Sequence, residues 1–191
     1  MTETSKRILQ AALELMQERG FKSVTIKDIA LTSGVSEMTV FRQFKTKKGV
    51  LEAAVENYSY IPRFEKIFDS EIVWDLEIDL ELIANSYISL MKKNEPIFLI
   101  SIQERNTMPE LLDLISKNTL QLKDYLTEYF KVMQVKNKMV ESNAEEQAMI
   151  FLITLYGYFS TITINKNHFL NNWKDSFIKT SIHNFCFGLK K

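Results

Sequence analysis

The sequence is poor in the residues that cross-link or bend a chain. Cys186 is the only cysteine among 191 residues, which excludes an intrachain disulfide framework and a cysteine-rich zinc site. Three prolines and five glycines supply little turn chemistry for a sheet-rich fold. Apolar residues recur every three or four positions instead of every two. We therefore predict an all-α fold of about nine helices.

The chain also lacks a net charge, which argues against a broadly polybasic nucleic-acid-binding protein. The balance is uneven, however, because residues 1–50 carry nine Lys/Arg against five Asp/Glu, and the remainder carries fifteen against nineteen. A basic N-terminal part indicates a segment that meets an anion. Gln10 and Glu14 interrupt the first apolar run, which is unlike a signal peptide, so we expect a cytoplasmic protein.

A helix-turn-helix is predicted shortly after the first helix. Thr25 and Asp28 have the spacing of a capping box, Gly34 suits the turn, and Ser36 caps a second, short helix. On a helical wheel, Val40 and Phe44 point toward the core, with Glu37 and Phe41 at the edges of that face. The opposite face presents Met38, Thr39, Arg42 and Gln43.

The outward face carries groups that suit the edges of DNA bases. Arg42 can bridge guanine O6 and N7, Gln43 can pair with adenine, and Glu37 can accept from cytosine N4. Met38 or the Thr39 methyl group suits a thymine methyl group. Flanking lysines can neutralise phosphates; they are Lys27, Lys45, Lys47 and Lys48. The conjunction of these features predicts a major-groove reader.

Residues 7–55, RILQAALELMQERGFKSVTIKDIALTSGVSEMTVFRQFKTKKGVLEAAV, carry a set of specific motifs. They are Gly20-Phe21, Thr25-Ile26, Ile29-Ala30, Gly34-Val35-Ser36, Thr39-Val40-Phe41, Phe44 and Lys47. In these motifs the segment resembles the DNA-binding domain of the TetR family of bacterial transcriptional repressors. The resemblance implies an all-α homodimer that binds a palindromic operator and releases it on binding a small molecule.

The resemblance also implies roles for individual residues. Thr25, Thr39 and Lys47 match phosphate contacts, and Glu37 and Met38 occupy positions that often read bases. The candidate DNA-binding set is Thr25, Lys27, Ser36, Glu37, Met38, Thr39, Phe41, Arg42, Gln43, Lys45 and Lys47.

Three positions depart from the family pattern. Phe41 replaces a frequent tyrosine whose hydroxyl binds phosphate, Gln43 replaces a frequent histidine, and Lys48 replaces a frequent glutamate. These departures affect the base preference and leave the motif intact.

The predicted division is a helix-turn-helix DNA-binding domain, 1–46, and a helical ligand-binding and dimerisation domain, 47–191. The resemblance implies an effector cavity in the second part for a small hydrophobic or amphipathic ligand. The candidate lining is Phe64, Phe68, Trp74, Tyr87, Met91, Phe98, Ile102, Met108, Tyr125, Phe151 and Tyr156. Polar anchors are expected near residues 101–106, Glu104 among them.

The stretch 147–165 has no charged residue across nineteen positions. A membrane span of that length is an alternative, but its Gln, Gly, Ser, Thr and Tyr residues favour a helix buried on all sides. The last helix carries an apolar stripe that includes Phe177, Ile178, Ile182 and Phe185. We expect the last two helices of each subunit to form a symmetric four-helix homodimer interface, without a membrane.

No motif for catalysis, cofactor binding or metal binding is recognised, so an enzyme is not expected. His183 and Cys186 share a helix face, but two such residues do not make a metal site. Two alternatives stay open: a helical ligand-binding protein without DNA binding, and a DNA-binding factor that needs no ligand. An activator is also possible, because the sign of regulation depends on operator position.

Overall fold

A computed structural model describes residues 1–57, 59, 61–164 and 176–190. These residues are helical apart from connecting segments and one isolated bridge pair, Met139 and Lys190, which confirms the predicted all-α class. The elements are α1 (Glu3–Arg19), α2 (Ile26–Ser33), α3 (Glu37–Phe44), α4 (Lys47–Asn57), α5 (Ile61–Lys66), a π-helical turn (Ile67–Glu71), α6 (Leu76–Lys93), α7 (Glu95–Gln103), α8 (Pro109–Val135), α9 (Ala144–Ile164) and α10 (Phe177–Leu189).

Side-chain caps begin the N-terminal helices where the sequence predicts them. Thr25 and Asp28 form a complete capping box at the start of α2. The Ser36 hydroxyl accepts the Thr39 N–H at the start of α3, and the Thr46 hydroxyl accepts the Gly49 N–H at 2.9 Å. These local hydrogen bonds fix the helix boundaries because each satisfies an N–H that has no partner within the helix.

One predicted helix end and one predicted cap are wrong. Because proline disfavours a helical conformation in the residue before it, the sequence predicts that α4 runs until Pro62. In the structure α4 ends at Asn57, and Pro62 lies in the first turn of α5, where its missing N–H costs nothing. Ser142 and Glu145 have the spacing of a capping box, which predicts that Ser142 caps α9. Asn143 caps this helix instead, because its Oδ1 accepts the N–H groups of Glu145 and Glu146 at 3.1 and 3.2 Å.

The chain packs as two compact units that do not follow the predicted division at residue 46. The first unit comprises Met1–Ser59 and Asn94–Lys117, and the second comprises Tyr60–Lys93 and Asn118–Lys191. The first unit includes α4 and α7 because both helices pack on α1. The predicted boundary between residues 46 and 47 divides the chain by function, and that division stays a prediction. The packing units differ from it because α7 joins the N-terminal helices.

The core of the first unit surrounds α1, whose apolar face contacts α2, α4 and α7. Fully buried side chains from five helices meet there: Ile8, Met16, Ile29, Val40, Val50 and Ile100. Burial of such side chains stabilises a fold by roughly 1.5–3 kcal/mol each, before the cost of ordering the chain. The same core therefore holds α3 and α7 against the N-terminal helices.

The second unit is built around α6, which packs against α9 and α10. Its buried side chains include Leu80, Ile83, Phe130, Leu155 and Phe159. Asp79 is also completely buried, and its carboxylate accepts the Val73 N–H at 2.9 Å and the Tyr129 hydroxyl at 2.8 Å. These two hydrogen bonds offset the cost of removing the carboxylate from water.

The last two helices are apolar and only partly buried within the chain. Among the described helices, α9 is long and apolar enough to cross a membrane on length and composition alone, a test that core helices also meet. The predicted start of the last helix at residue 172 lies outside the described residues, and α10 runs from Phe177. On its predicted stripe Ile182 is buried, whereas Phe177, Ile178 and Phe185 are half-buried.

The close approach of α3 and α4 yields a stability prediction at Gly49. A Cβ atom at this position would lie 2.2 Å from the Phe44 carbonyl oxygen, and backbone atoms cannot give way as a flexible side chain can. We expect Gly49→Ala to lower the free energy of unfolding by about 1–3 kcal/mol.

Gly188→Ala is the matched control, since a Cβ at that helical position meets nothing within 4 Å. It should be neutral or raise stability by up to about 1 kcal/mol. Chemical denaturation of both variants measures the difference, and equal stabilities would contradict the inferred clash.

Candidate nucleic-acid interface

The turn between α2 and α3 depends on Gly34. This residue has a left-handed backbone, with φ 67° and ψ 38°, and its N–H is directed at the carbonyl oxygens of Ala30 and Leu31. The Arg7 guanidinium of α1 donates to the Ser33 carbonyl beside the turn. A Cβ on residue 34 would lie 2.7 Å from Arg7 Nη2, the end of a flexible side chain that can move, so it is the left-handed backbone of the turn that favours glycine.

The orientation of α3 is set by what it buries and by how it begins. Val40 is completely buried and Phe44 is half-buried against the core of the first unit. The Ser36 hydroxyl caps the helix and lies 2.9 Å from the Thr39 hydroxyl. The inward side of α3 thus agrees with the predicted wheel for these two apolar residues.

The opposite side of α3 presents a mixed apolar and charged surface. Met38 is 73% exposed and Phe41 is 55% exposed, and Glu37 and Arg42 are exposed beside them. The expectation that Glu37 and Phe41 would line the packed face is wrong, because the core ends at Val40 and Phe44. Thr39 is half-buried at the edge of this surface. We call Glu37, Met38, Thr39, Phe41 and Arg42 the reading face.

Gln43 does not belong to the reading face, although the wheel placed it there. Its Oε1 accepts a hydrogen bond from the Ser5 hydroxyl of α1 at 2.8 Å, and the side chain is half-buried. This partner lies 38 positions earlier in the chain, so no local pattern could indicate it.

The basic residues around α3 differ in how their charges are used. Lys27 and Lys45 are exposed, and the Lys45 ammonium lies 5.8 Å from the centre of the Phe41 ring. Lys48 pairs with Glu110 at 2.6 Å and with Glu52 at 3.8 Å. The hydrogen bond with Glu110 raises the pKa of Lys48 above its usual value. Lys48 therefore has its charge balanced within the protein.

Two other predicted phosphate contacts are engaged internally. The Thr25 hydroxyl accepts the Asp28 N–H and donates to the Asp28 carboxylate, and this hydrogen bond lowers the carboxyl pKa. The Lys47 ammonium is directed at backbone carbonyls of residues 21, 22 and 24. The groups on this surface that can still contact a ligand are thus Arg42, Lys27, Lys45 and the exposed apolar side chains of α3.

Comparisons with known proteins agree with this architecture. Residues 8–54 match the family model described as bacterial regulatory proteins, tetR family. The chain is 32% identical over 159 residues to the uncharacterized HTH-type transcriptional regulator YvkB of Bacillus subtilis, covering 83% of this chain and 82% of that protein.

The chain belongs to the TetR family. It is a transcriptional regulator with a helix-turn-helix DNA-binding domain. Among solved structures, a TetR-family regulator from Mesorhizobium loti superposes with a TM-score of 0.79 at 18% identity, over the whole of both chains. A transcriptional regulator from Saccharomonospora viridis, solved in complex with choline, superposes with a TM-score of 0.78 at 18% identity, again over both whole chains. These two structures share the TetR fold with this protein.

The predicted effector lining is distributed over both packing units of this TetR-family protein. Phe98, Ile102 and Met108 belong to the first unit and the other eight residues to the second. Most of the eleven are buried side chains: Phe64, Tyr87, Met91, Phe98, Met108 and Phe151. Phe68, Trp74, Ile102 and Tyr125 are half-buried, and Tyr156 is exposed.

Part of that lining forms an aromatic cluster in the second unit, made of Phe68, Trp74, Tyr125 and Tyr129. The rings of Phe68 and Tyr125 stack with centroids 5.4 Å apart, and those of Trp74 and Tyr129 stack at 5.9 Å. Trp74 has a positive φ of 62°, and the Lys136 ammonium lies 4.8 Å from its ring centroid. Sequence analysis missed Tyr129, although its spacing of four from Tyr125 places both on one face of α8.

Grooves on each unit offer further concave surface. In the first unit a groove of about 370 Å³ lies between α4 and the start of α8, with Leu51, Met108 and Leu111 in its lining. In the second unit a groove of about 380 Å³ runs along α6 beside Arg63, whose guanidinium forms a two-point ion pair with Glu71. Met108 is the predicted pocket residue that lines the first of these grooves.

The exposure of Arg42 on the reading face leads to a binding prediction. Arg42→Ala should weaken binding to a DNA site selected by the wild-type protein by about tenfold or more, and relax its base preference at one position. Lys27→Ala should weaken binding to all sequences about equally and lower the salt slope by about one.

Lys131→Ala is the control for loss of one positive charge, because Lys131 lies on α8 in the second unit and pairs with Glu128. Fluorescence anisotropy over a salt series distinguishes the three variants. An Arg42→Ala protein with unchanged specificity would show that the reading face does not contact bases.

Proposed function

We propose that this protein is a homodimeric repressor that binds a palindromic operator through α3 and releases it when a small hydrophobic or amphipathic ligand binds. The observation that supports the proposal best is the reading face, because an eight-residue helix with a buried Val40 presents exposed Arg42, Met38 and Phe41 together. Such a helix enters a major groove readily. As a DNA-binding regulator of gene expression, the protein is expected to act in the cytoplasm.

The reading face suits a site that combines a purine contact with thymine methyl groups. Arg42 is a bidentate donor for guanine, whereas Met38 and Phe41 offer apolar surface for a thymine methyl group. Phe41 has no hydroxyl with which to bind a phosphate. The predicted phosphate contacts are therefore carried by the exposed lysines, Lys27 and Lys45, together with backbone N–H groups at the helix starts.

The dimer proposal is supported by an exposed apolar stripe on α9. Ile150, Ile153, Tyr156 and Ile164 recur at helical spacing and are exposed, with Ile153 at 60%. A Cβ on Gly157 would meet nothing within 4 Å, so the stripe has an open, small-residue position at its centre. On α10, Phe187 is 83% exposed. A second copy of the chain that covers these helices would remove a large apolar area from water.

The effector proposal is supported by the aromatic cluster and its charged surroundings. The Lys136 ammonium lies 4.8 Å from the Trp74 ring centroid, a contact of the kind that aromatic rings make with cations. The regulator from Saccharomonospora viridis was solved with choline, a small quaternary ammonium compound. We therefore propose a ligand with an apolar body, and cationic groups are compatible with the aromatic surface. Ligand binding acts on DNA affinity only if the ligand prefers the form that does not bind DNA.

The α9 stripe predicts the effect of a charge on assembly. Ile153→Glu should convert the dimer to a monomer and remove high-affinity binding to a two-half-site DNA, because a buried carboxylate at a symmetric interface faces its own copy. Leu120→Glu is the matched control, since Leu120 is a similarly exposed apolar residue on α8. Sedimentation and DNA binding measure both properties, and a dimeric Ile153→Glu protein would place the interface elsewhere.

The effector proposal predicts release of DNA by a suitable small molecule. The probes are choline, a long-chain fatty acid and a planar polyaromatic cation, added to the complex with a selected DNA site. At least one should dissociate the complex and raise the melting temperature of the free protein. Trp74→Ala should abolish the response while leaving DNA affinity in the absence of probe unchanged. If the Trp74→Ala protein responds like the wild type, the aromatic cluster is not the effector site.

A further inference from the structure

The segment that joins α1 to α2, residues 20–24, is held from two sides by charged side chains. We call it the α1–α2 link. The Gly20 N–H donates to the Met16 carbonyl of α1 at 2.9 Å, but the rest of the link lies outside the helices, so its backbone polar groups need other partners. Glu104 from the end of α7 provides an acceptor, and Lys47 from the start of α4 provides donors. Both helices belong to the same packing unit as the link.

Glu104 contacts the link from a buried position, where the loss of hydration of its carboxylate costs free energy. The residue is only 7% exposed, and its Oε1 accepts the Phe21 N–H at 3.0 Å. The Thr107 hydroxyl donates to the other carboxylate oxygen. A buried charge is retained only where hydrogen bonds and an opposite charge offset its desolvation. The expected role of Glu104 as a polar anchor for an effector is therefore replaced by a contact with the link.

Lys47 supplies the opposite charge. Its Nζ lies 2.5 Å from the Phe21 carbonyl oxygen, 2.6 Å from that of Val24 and 3.3 Å from that of Lys22. An ammonium group has three donors, and this geometry directs all of them at the link. The Nζ also lies 4.4 Å from the centroid of the Phe21 ring. Burial lowers the pKa of Lys47, and the charge of Glu104 opposes that shift.

The link sets where α2 and α3 begin. It leads directly into Thr25, which caps α2, and α2 leads through Gly34 into α3. A displaced link would therefore displace the reading face, even though neither Glu104 nor the link carries a side chain of that face.

We propose that Glu104 is a positioning residue for DNA binding, and that Lys47 acts with it on the α1–α2 link instead of contacting a phosphate. This inference rests on the proposed DNA-binding function, to which it adds a residue far from α3 in sequence.

The salt dependence of DNA binding separates this role of Lys47 from a phosphate contact. A lysine that neutralises a phosphate contributes about one unit to the slope of log affinity against log salt. We expect Lys47→Met to weaken binding to a selected site by about fivefold or more, with the slope of the wild type. The exposed residue Lys45 is the comparison, because Lys45→Met should lower the slope. A slope reduced by about one in Lys47→Met would overturn the proposed role of Lys47.

Two variants of Glu104, the residue that follows α7, and one control variant on α7 test Glu104 itself. Glu104→Ala should weaken DNA binding by about fivefold or more, because it removes the acceptor of the Phe21 N–H and the charge beside Lys47. Glu104→Gln keeps an oxygen acceptor and should recover a large part of that loss. Ile100→Val is the control for general stability, since Ile100 is completely buried on the same helix. The same loss in Glu104→Ala and in an equally destabilised Ile100→Val protein, or no recovery in Glu104→Gln, would contradict the proposal.

Amide hydrogen exchange tests the link without DNA. In the wild type the Phe21 amide should be protected, and in Glu104→Ala its exchange should accelerate by about tenfold or more while amides in the middle of α1 remain protected. If the wild type selects no DNA, the proposed function fails, but this measurement still decides whether Glu104 holds the link. Unchanged protection of Phe21 in Glu104→Ala would overturn the inference independently of DNA binding.

Discussion

The orientation of α3 depends on its contacts with the rest of the first unit, because α3 is too short to be stable alone. A helix of eight residues is not stable alone in water, so its direction is set by the side chain that it buries and by the turn before it. Val40 fixes the inward side, and the left-handed Gly34 fixes the angle at which α3 leaves α2. Arg7 braces the same turn from α1. The reading face is therefore exposed because the opposite side is held at three points.

The lysines of the first unit serve two purposes: some can contact an external anion, and others pair with groups within the protein. Lys27 and Lys45 are exposed and available to an anion, whereas Lys47 and Lys48 are committed to internal partners. Counting lysines in the sequence overstates the positive field, because Lys48 is balanced by Glu110 and Glu52. Lys48 holds α4 against the start of α8, and Lys47 holds α4 against the α1–α2 link. These two positive charges of the basic excess are therefore used within the protein.

Local patterns predicted much of the fold and part of the site. The capping hydroxyls of Thr25 and Ser36 and the Gly34 turn depend on neighbours within four residues, and each was predicted correctly. The burial of Val40 was predicted from the helical period of apolar residues, although its partners come from other helices. The partner of Gln43 is Ser5, and the partner of the Phe21 N–H lies 83 positions away, so both depend on tertiary packing. The resemblance named Lys47 as a phosphate contact, but only the packed structure reveals the carbonyl groups around its ammonium.

The measurement that tests the central claim most directly is selection from a random pool of double-stranded DNA at near-physiological salt. The wild type is compared with a double variant, Arg42→Ala with Thr39→Ala, whose folding and assembly are verified separately. The account predicts an enriched palindrome for the wild type and no enrichment for the variant. A folded wild-type dimer that enriches no sequence, or a variant that enriches the same palindrome, would contradict the claim that α3 reads DNA.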